Sequence, residues 1–457
     1  MKPADIGAEG LRVAIGFPSA VMLVVGGIVG VGIFANPAIV AKDVHSPVLA
    51  LAAWGAGGAI ALLGAFVYAE LAARFPATGG EYVYLRDTYG PLVGFLFGWT
   101  TLLVVHTGGL AAVTIVFAQN LNVLVGGGLS ERVVVVVTLA GLAAVNCLGV
   151  TMGNGVQGLL GLAKIAVIGV LITAGLLLAP HVAAAGAATA GAPSGLLKAF
   201  GGAMIPVVFS YGGWQTANYV AGEIKNPGRN LARALMAGVA VVILLYLLVN
   251  IACLRALGVD ALGKTLTPTS DVLARSVGPA AGRLAAAAIA LSALAFMSQS
   301  MLTGPRVCFA MARDGLFFRR VASVSRGSRA PAIATLVVAA WTGVLALSGR
   351  YDQILSYVVS MNFLFFGLSA SCLFTLRRRE RRGTATTARP AFLAPWHPWS
   401  TGAFIVASAF IVGFSFWAYP VNSLIGYAIL LLGVPPYLYW RRQGSPEPVA
   451  AFGEPLP

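Results

Sequence analysis

The chain has 457 residues, of which 58% are hydrophobic and only 10% are charged, and its formal net charge is +15. This composition excludes an ordinary soluble globular protein and indicates a polytopic membrane protein. The four cysteines have neither CxxC spacing nor positions in polar loops, so we expect no disulfide, metal site or cofactor.

Apolar runs long enough to cross a bilayer recur along the whole sequence, and they predict twelve membrane-spanning helices. In chain order the predicted spans cover residues 17–40, 48–73, 92–122, 132–150, 155–179, 198–222, 231–255, 282–312, 331–348, 353–376, 400–418 and 422–440. With the N-terminus inside the cell, most of the 30 Lys and Arg residues fall on the cytoplasmic side, as the positive-inside rule requires. This distribution explains the positive charge without nucleic acid. The expected partners are the lipid bilayer and a small-molecule substrate.

Span 1 is predicted to break at its centre, because four glycines lie between Gly26 and Gly32. Each glycine in a helix interior costs roughly 1 kcal/mol relative to alanine. The free N–H and C=O groups at a break must be satisfied within the membrane, so broken helices line protected cavities. Close helix packing through the GxxxG-like spacing of Gly26 and Gly30 is the alternative interpretation.

Span 6 carries a second interruption at the adjacent Gly212 and Gly213. Spans 1 and 6 hold the same place in two five-helix halves, and an odd number of helices gives the halves opposite orientations in the membrane. Paired interruptions at matching places of an inverted repeat indicate the substrate site of a transporter.

The two breaks favour a ligand with a carboxylate and an ammonium close together, which is an α-amino acid. Free N–H groups at the start of a half-helix attract the carboxylate, and free carbonyls at the end of the preceding half-helix attract the ammonium. Few charged residues are available to bind the substrate side chain, which favours a neutral amino acid. The predicted substrate-binding residues are Ile28, Gly30, Val31, Gly32, Phe209, Ser210, Tyr211 and Gly212.

Lys164 lies near the middle of span 5. An ammonium at that depth is costly to bury, so Lys164 is a functional candidate, and snorkelling to an interface is the alternative. No Asp or Glu lies at mid-span to pair with it. Its expected partners are therefore backbone carbonyls of span 1 and a hydroxyl such as that of Ser298 or Ser300. A fixed cation in place of sodium and a proton carrier both fit these features.

Two further polar residues have simpler interpretations. His106, alone in span 3, is expected to be packed or hydrogen-bonded rather than a ligand. Glu223 is expected to cap a helix or to pair near Lys225 or Arg229, and a gating role is the alternative.

Several motifs resemble those of the amino acid–polyamine–organocation (APC) superfamily. Residues 26–34 are similar to its first-helix signature, and residues 76–82 are similar to its first cytoplasmic loop motif. Residues 209–214, followed by 223–227, resemble the L-type amino acid transporter branch and its bacterial serine/threonine and alanine/serine exchangers. The resemblance extends from about residue 14 to residue 442.

The resemblance implies an all-α fold of the LeuT type, a five-plus-five inverted repeat with two further helices, in which helices 1 and 6 are broken. It implies that Phe209 is an aromatic gate. It also implies that Lys164 stands in a former sodium site, with Gly26 and Ser300 as its partners. At Val31 the sequence departs from relatives that have serine, so a hydroxyl contact to the carboxylate is absent.

The predicted organisation is a cytoplasmic tail over 1–16, repeats over 17–179 and 198–376, two helices over 400–440, and a cytoplasmic tail over 441–457. The expected function is sodium-independent transport of neutral L-amino acids across a bacterial cytoplasmic (inner) membrane. Transport would proceed by alternating access, through exchange or proton-linked uptake, and without a partner subunit. A cationic amino acid or polyamine carrier and a non-transporting sensor with a transporter fold are the alternatives. No nucleophile–base or metal constellation points to an enzyme.

Overall fold

The chain is predominantly helical in the part that the computed structural model describes. The described residues are 13–148, 150–180, 195–265, 267–278, 280–325, 330–348, 351–384, 390–418 and 420–442. Most of both predicted tails lies outside these ranges. Within them, the β-type pairing is an isolated parallel bridge between Ile15 and Ile224.

The α-helices are numbered in chain order. They are α1 Phe17–Ile28, α2 Gly32–Val44, α3 Pro47–Arg74, α4 Glu81–Tyr89, α5 Pro91–Thr100, α6 His106–Leu124, α7 Glu131–Cys147, α8 Val150–Thr173, α9 Leu196–Ser210, α10 Pro227–Leu257, α11 Val259–Lys264, α12 Pro268–Val277, α13 Ala281–Thr303, α14 Pro305–Arg313, α15 Ala332–Ser348, α16 Tyr351–Arg381, α17 Trp399–Ala418, α18 Pro420–Leu431 and α19 Val434–Arg442. Two π-helical turns, Thr101–Val105 and Ala174–Leu178, and two 3₁₀ helices, Trp214–Glu223 and Arg319–Ala322, complete the helical structure of the described residues. The 3₁₀ helix Trp214–Glu223 is called the 3₁₀ segment below.

Eight helical stretches of the described residues are long and apolar enough to cross a membrane, and α1 with α2 forms a ninth span that bends by 43°. The prediction of an all-helical polytopic membrane protein is therefore confirmed. Helices α7 and α15, with 17 residues each, lie where spans 4 and 9 are predicted but are slightly short for a straight crossing. The count of twelve spans stays a prediction.

Both predicted interruptions are present. Helix α1 ends at Ile28, and Val29 takes an extended conformation (φ −71°, ψ 95°) before α2 begins at Gly32. Helix α9 ends at Ser210, and the 3₁₀ segment begins at Trp214 after a turn. Because the backbone leaves the α-helical conformation at these points, the terminal N–H and C=O groups of four half-helices come free near one another.

The two breaks touch at their glycines. A Cβ atom on Gly213 would lie 2.0 Å from the carbonyl oxygen of Gly27, and one on Gly27 would lie 2.6 Å from that of Gly213. Gly213 also has a φ of +106°, a conformation that residues with a side chain rarely adopt. The glycines therefore serve both interpretations of the sequence, since they interrupt the helices and also let them approach closely.

The broken helices sit within a shell of longer helices. Helix α1 packs on α10 and on the 3₁₀ segment, and α2 packs on α9. Helices α3 and α10 pack along each other, and α6 and α8 both pack on α13. This arrangement encloses the interrupted backbone at the centre of the protein.

Candidate functional site

A cavity lies where the two breaks meet. It is bounded by the α1–α2 break, by α9 with the 3₁₀ segment, and by one face each of α6, α13 and α16. The lining residues are Gly27, Ile28, Gly30, Val31, Gly32, Val105, His106, Gly109, Val113, Val208, Phe209, Ser210, Gly212, Gly213, Gln215, Thr216, Tyr219, Phe296, Gln299, Ser300, Val358, Val359, Asn362 and Phe363. These described residues include no Asp, Glu, Lys or Arg, so the wall of the cavity suits a ligand whose charges are met by backbone groups.

The structure brings seven of the eight residues predicted to bind substrate into the wall of this cavity. They are Ile28, Gly30, Val31, Gly32, Phe209, Ser210 and Gly212. Tyr211 faces elsewhere, with its ring 5.9 Å from that of Trp54 and 5.0 Å from that of Tyr246. Successive residues at a helix end point in directions about 100° apart, so three residues in a row cannot all face one cavity. Phe209 and Ser210 face it, and Tyr211 points past it.

The start of α2 presents unpaired N–H groups at the cavity. The first N–H groups of any helix lack an acceptor within the helix. The N-cap residue Val31 supplies no side-chain acceptor for them, whereas a serine there could do so. These N–H groups, together with the positive end of the helix dipole, are suited to hold a carboxylate.

Carbonyl oxygens from both breaks converge on one phenol that the sequence did not indicate. The hydroxyl of Tyr246 on α10 donates towards the Ile28 oxygen at 3.2 Å and the Ser210 oxygen at 3.0 Å. Ser210 is further fixed through its hydroxyl, which accepts from Asn36 Nδ2 at 2.7 Å and donates to the Pro206 oxygen at 2.8 Å. The bonds of Tyr246 and Asn36 hold the end of α9 against the break in span 1.

Lys164 is fully buried on α8, behind the break in span 1. Its ammonium donates to the Gly26 oxygen at 3.1 Å and also to the Val29 oxygen. The expected bond from Ser300 is not formed, since the Ser300 hydroxyl contacts Gln299 Oε1 at 3.5 Å and Ser300 lines the cavity instead. The end of α1 leaves several carbonyls without helical partners, and Lys164 takes two of them.

His106 both lines the cavity and makes a hydrogen bond. Its Nε2 lies 3.0 Å from the carbonyl oxygen of Ser300, which assigns the ring proton to Nε2. The bond ties α6 to α13 at the wall of the cavity. It agrees with the expectation of a hydrogen-bonded histidine and leaves the other ring nitrogen for a second contact.

One end of the protein, which carries α4 and is called the α4 side, is closed beneath the cavity. Arg306 on α14 donates to both carboxylate oxygens of Glu223, at 2.7 and 3.2 Å, and both side chains are almost fully buried. The expectation that Glu223 pairs near Lys225 or Arg229 is therefore wrong. The partner comes from a distant helix because the 3₁₀ segment turns Glu223 inwards towards α14.

The residues around the N-terminal end of the described chain add to this closure. The N–H groups of Ala14 and Ile15 donate to the Glu223 carbonyl oxygen at 3.1 and 3.0 Å, and Lys225 N–H donates to the Ile15 oxygen at 2.9 Å. The last part of the predicted N-terminal tail is thus bound to the end of the 3₁₀ segment.

An all-helical membrane protein with two interrupted helices that meet at a central cavity has the architecture of a membrane transporter. The sequence comparisons agree with this class. The amino acid permease family matches residues 15–435, and the chain belongs to that family. It is therefore a transport protein and not an enzyme, as the sequence analysis expected.

Individual relatives are transport proteins from bacteria and mammals. The chain is 30% identical to the serine/threonine exchanger SteT of Bacillus subtilis (strain 168), over 95% of this chain and 98% of that protein. It is 29% identical to the human large neutral amino acids transporter small subunit 2, over 96% of this chain and 82% of that protein. It is 28% identical to the mouse Asc-type amino acid transporter 1, over 97% of this chain and 84% of that protein. These relatives agree with the resemblance to the L-type branch.

Proposed function

We propose that the chain is a sodium-independent transporter of neutral L-amino acids that works by exchange through alternating access. The observation that carries this proposal is the meeting of both helix breaks at one cavity, where N–H groups and carbonyl groups lie on opposite ends of the same short stretch of backbone. An α-amino acid has the complementary pair of charges at a matching separation.

In this proposal the substrate carboxylate binds the N–H groups of Gly30, Val31 and Gly32 at the start of α2. The ammonium binds the carbonyl oxygens of Ile28 and Phe209, near the Ser210 carbonyl that Tyr246 contacts. Backbone groups thus hold the part that all α-amino acids share, and side chains are left to select among them.

A neutral substrate side chain is supported by the absence of Asp, Glu, Lys and Arg from the described lining of the cavity. A cationic amino acid or polyamine would need an acidic residue there. The apolar part of the wall, with Phe209 and Phe296, suits aliphatic groups, while Asn362 and His106 offer polar contacts. We infer that the substrates are small neutral amino acids, including serine and threonine, which are named for the exchanger of Bacillus subtilis.

Sodium independence is supported by Lys164. Its ammonium occupies two carbonyl oxygens, those of Gly26 and Val29, which are the kind of hard ligand that a sodium ion would take. A fixed positive charge at that place would make a coupling ion unnecessary. Gly26 is its expected partner from the sequence, and Ser300 would act from the cavity wall.

The proposed setting is a bacterial cytoplasmic membrane, with both termini and α4 on the cytoplasmic side, as the distribution of Lys and Arg favours. The proposed organisation is two five-helix repeats, over 17–179 and 198–376, followed by two helices over 400–440. We further propose that the chain acts without a partner subunit, so that a single purified polypeptide should be active.

Counterflow in proteoliposomes tests the proposal. The purified chain should accelerate uptake of labelled alanine, serine or leucine into vesicles loaded with unlabelled amino acid, at equal rates in sodium and in choline medium. N-acetyl and methyl ester forms of the same amino acid should not compete, because each removes one of the two charges. Strict sodium dependence would overturn the role of Lys164, and failure of every α-amino acid to exchange would overturn the function itself.

A further inference from the structure

A buried carboxyl group outside the cavity joins three elements on the α4 side. Glu81, the first residue of α4, is 1% exposed. Its Oε1 accepts a hydrogen bond from Tyr68 of α3 at 2.5 Å, and its Oε2 accepts one from Tyr219 of the 3₁₀ segment at 3.0 Å. These three side chains, Glu81, Tyr68 and Tyr219, are called the Glu81 cluster.

Local backbone structure places Glu81 in this position. Gly79 N–H donates to the Tyr219 carbonyl oxygen at 3.1 Å, so the loop before α4 is bonded to the 3₁₀ segment. Gly80 has a φ of +52°, and a Cβ there would lie 2.7 Å from the Tyr219 ring. The glycine pair therefore lets the loop lie flat against the segment and directs the next side chain into the protein.

The Glu81 cluster contains no cation. The titratable groups nearest to Glu81 are the phenols of Tyr68, Tyr84 and Tyr219 and the thiol of Cys372 on α16, which are neutral at neutral pH. Several arginines on this side of the protein are bound to other acids or to carbonyls: Arg306 to Glu223, Arg86 of α4 itself to Asp314, Arg377 to Glu70, and Arg379 to the carbonyls of Asp87 and Thr88. Arg313 on α14 lies over the ring of Phe309. Among the described residues, the hydrogen-bond partners of Glu81 are two neutral phenols, so a carboxylate there is a buried charge that no described cation pairs.

The cluster is linked to the cavity through Tyr219. This residue lines the cavity with part of its side chain while its hydroxyl reaches Glu81. Any movement of α4 away from the 3₁₀ segment would withdraw the partner of the Tyr219 hydroxyl and open the floor of the cavity towards the α4 side.

We infer that Glu81 is a proton-binding positioning residue: with a proton bound, it holds α4, α3 and the 3₁₀ segment together, and loss of that proton favours opening of the cavity to the α4 side. The proton comes from water on the α4 side and returns there. When it is bound, Glu81 donates to one phenol oxygen and accepts from the other phenol, so both links between the elements are kept, while one phenol hydrogen loses Glu81 as its acceptor. This inference rests on the proposed transport function for its rate measurement.

The direction of the effect follows from burial. Removal from water raises the pKa of Glu81 from an ordinary value of 4.5 to about 7, against the opposing effect of the two phenol hydrogen bonds. In an open conformation, where water reaches Glu81, the pKa returns towards the ordinary value. Low pH then stabilises the closed conformation relative to the open one, by up to roughly three hundredfold across the full titration.

The exchange rate in proteoliposomes at equal pH on both sides tests the inference. Because each cycle requires opening, the rate of the natural protein should rise by up to about tenfold between about pH 6 and about pH 8. Glu81→Gln, which is permanently neutral, should exchange slowly and without this pH dependence. Glu81→Asp, which keeps an acid, should retain a pH-dependent rate.

A second variant keeps the test valid if the Glu81→Gln protein does not fold. Tyr68→Phe removes one hydrogen bond to the carboxylate and leaves the acid in place, so the midpoint of the rate profile should move to higher pH and the rate should recover at about pH 8.5. Tyr84→Phe is the matched control, because the buried Tyr84 hydroxyl makes no hydrogen bond, and it should leave the midpoint unchanged.

The inference is overturned if Glu81→Gln keeps the natural pH profile, or if Tyr68→Phe leaves the midpoint in place or moves it to lower pH. A measurement without substrate separates this from failure of the proposed function. The contribution of Glu81 to the Tm of the purified protein should be fully present below about pH 4.5 and be lost as the pH rises through about 7. Glu81→Gln should abolish that part of the pH dependence, and an unchanged Tm profile would also contradict the inference.

Discussion

The backbones of Gly27 and Gly213 are in contact where the two broken helices cross, and neither position has room for a Cβ atom. The contact joins the end of α1 to the turn before the 3₁₀ segment. It brings free backbone groups from both halves of the chain to one cavity, and the substrate site proposed here depends on that approach.

Gly213→Ala should therefore damage the protein severely. The added Cβ would lie 2.0 Å from the Gly27 carbonyl oxygen. The alanine would also have to adopt a φ of +106°, which residues with a side chain rarely do. We expect a loss of about 2–4 kcal/mol in the free energy of unfolding, and loss of exchange activity. Thermal unfolding of the purified protein measures the first, and counterflow measures the second. Gly141→Ala on α7, where a Cβ meets nothing within 4 Å, is the control and should be neutral or slightly stabilising.

Lys164→Ala should slow exchange more than it weakens substrate binding. The variant leaves the Gly26 and Val29 carbonyls without their ammonium partner, behind the site and not in contact with the substrate. We expect the exchange rate to fall by tenfold or more, and the Kd to change by less than about threefold. Leu162→Ala, on the same helix and 64% exposed, controls for truncation of a side chain. Equal losses in rate and in binding would favour a direct substrate contact.

Tyr246→Phe should weaken substrate binding by roughly twofold to tenfold, since it removes one neutral hydrogen bond that spans the two breaks. Tyr211→Phe is the matched comparison, because the adjacent buried Tyr211 hydroxyl has no hydrogen-bond partner. Equilibrium binding of labelled substrate to the purified variants measures both. A large loss in Tyr211→Phe alone would instead support the substrate contact predicted for that residue from the sequence.

Val31→Thr adds a hydroxyl group at the N-cap of α2 with almost no change in volume. If the carboxylate lies at the start of this helix, the hydroxyl can donate to it, and the apparent KM should fall by roughly twofold to tenfold. Val113→Thr, which changes the cavity wall on α6, is the control and should not tighten binding of alanine. A higher KM in Val31→Thr would indicate that the hydroxyl caps the helix and competes with the substrate for its N–H groups.

The pair of Arg306 and Glu223 should be more important for stability than its surface counterparts. Arg306→Met leaves a buried carboxylate without a partner and should cost about 3–5 kcal/mol. The double variant with Glu223→Leu should recover part of that loss, because it removes the unpaired charge as well. Arg86→Gln, whose ion pair with Asp314 is partly exposed, should cost less than about 1 kcal/mol. Thermal unfolding of the four proteins gives the comparison, and equal effects of Arg306→Met and Arg86→Gln would contradict it.

The breaks in spans 1 and 6 could be predicted from sequence because they depend on local backbone chemistry. Clusters such as Gly26–Gly32 and Gly212–Gly213 weaken a helix wherever it lies, and the terminal carbonyls then attract a buried cation such as Lys164. The exact partner was less predictable. The second partner of Lys164 is the Val29 carbonyl and not the expected Ser300. The direction of each carbonyl depends on the exact residue at which the helix ends, and the sequence does not give that residue.

Contacts between distant segments could not be predicted in the same way. Tyr246 meets Ile28 across 218 positions of sequence, and Tyr219 meets Glu81 across 138. The residues around a tyrosine do not indicate which distant segment its side chain will contact in the folded protein. The orientation of Tyr211 away from the cavity has the same origin, since the turn after α9 sets the rotation of each side chain.

The shared bond of Tyr246 has a consequence for the empty protein. One phenol hydrogen serves carbonyl oxygens from both breaks, so these oxygens keep a donor when no ligand is present. The site is thus preorganised, and an arriving amino acid pays little conformational entropy to shape it. The Tyr246 hydroxyl therefore supports affinity indirectly, because it holds the Ile28 carbonyl in place before the ammonium group arrives.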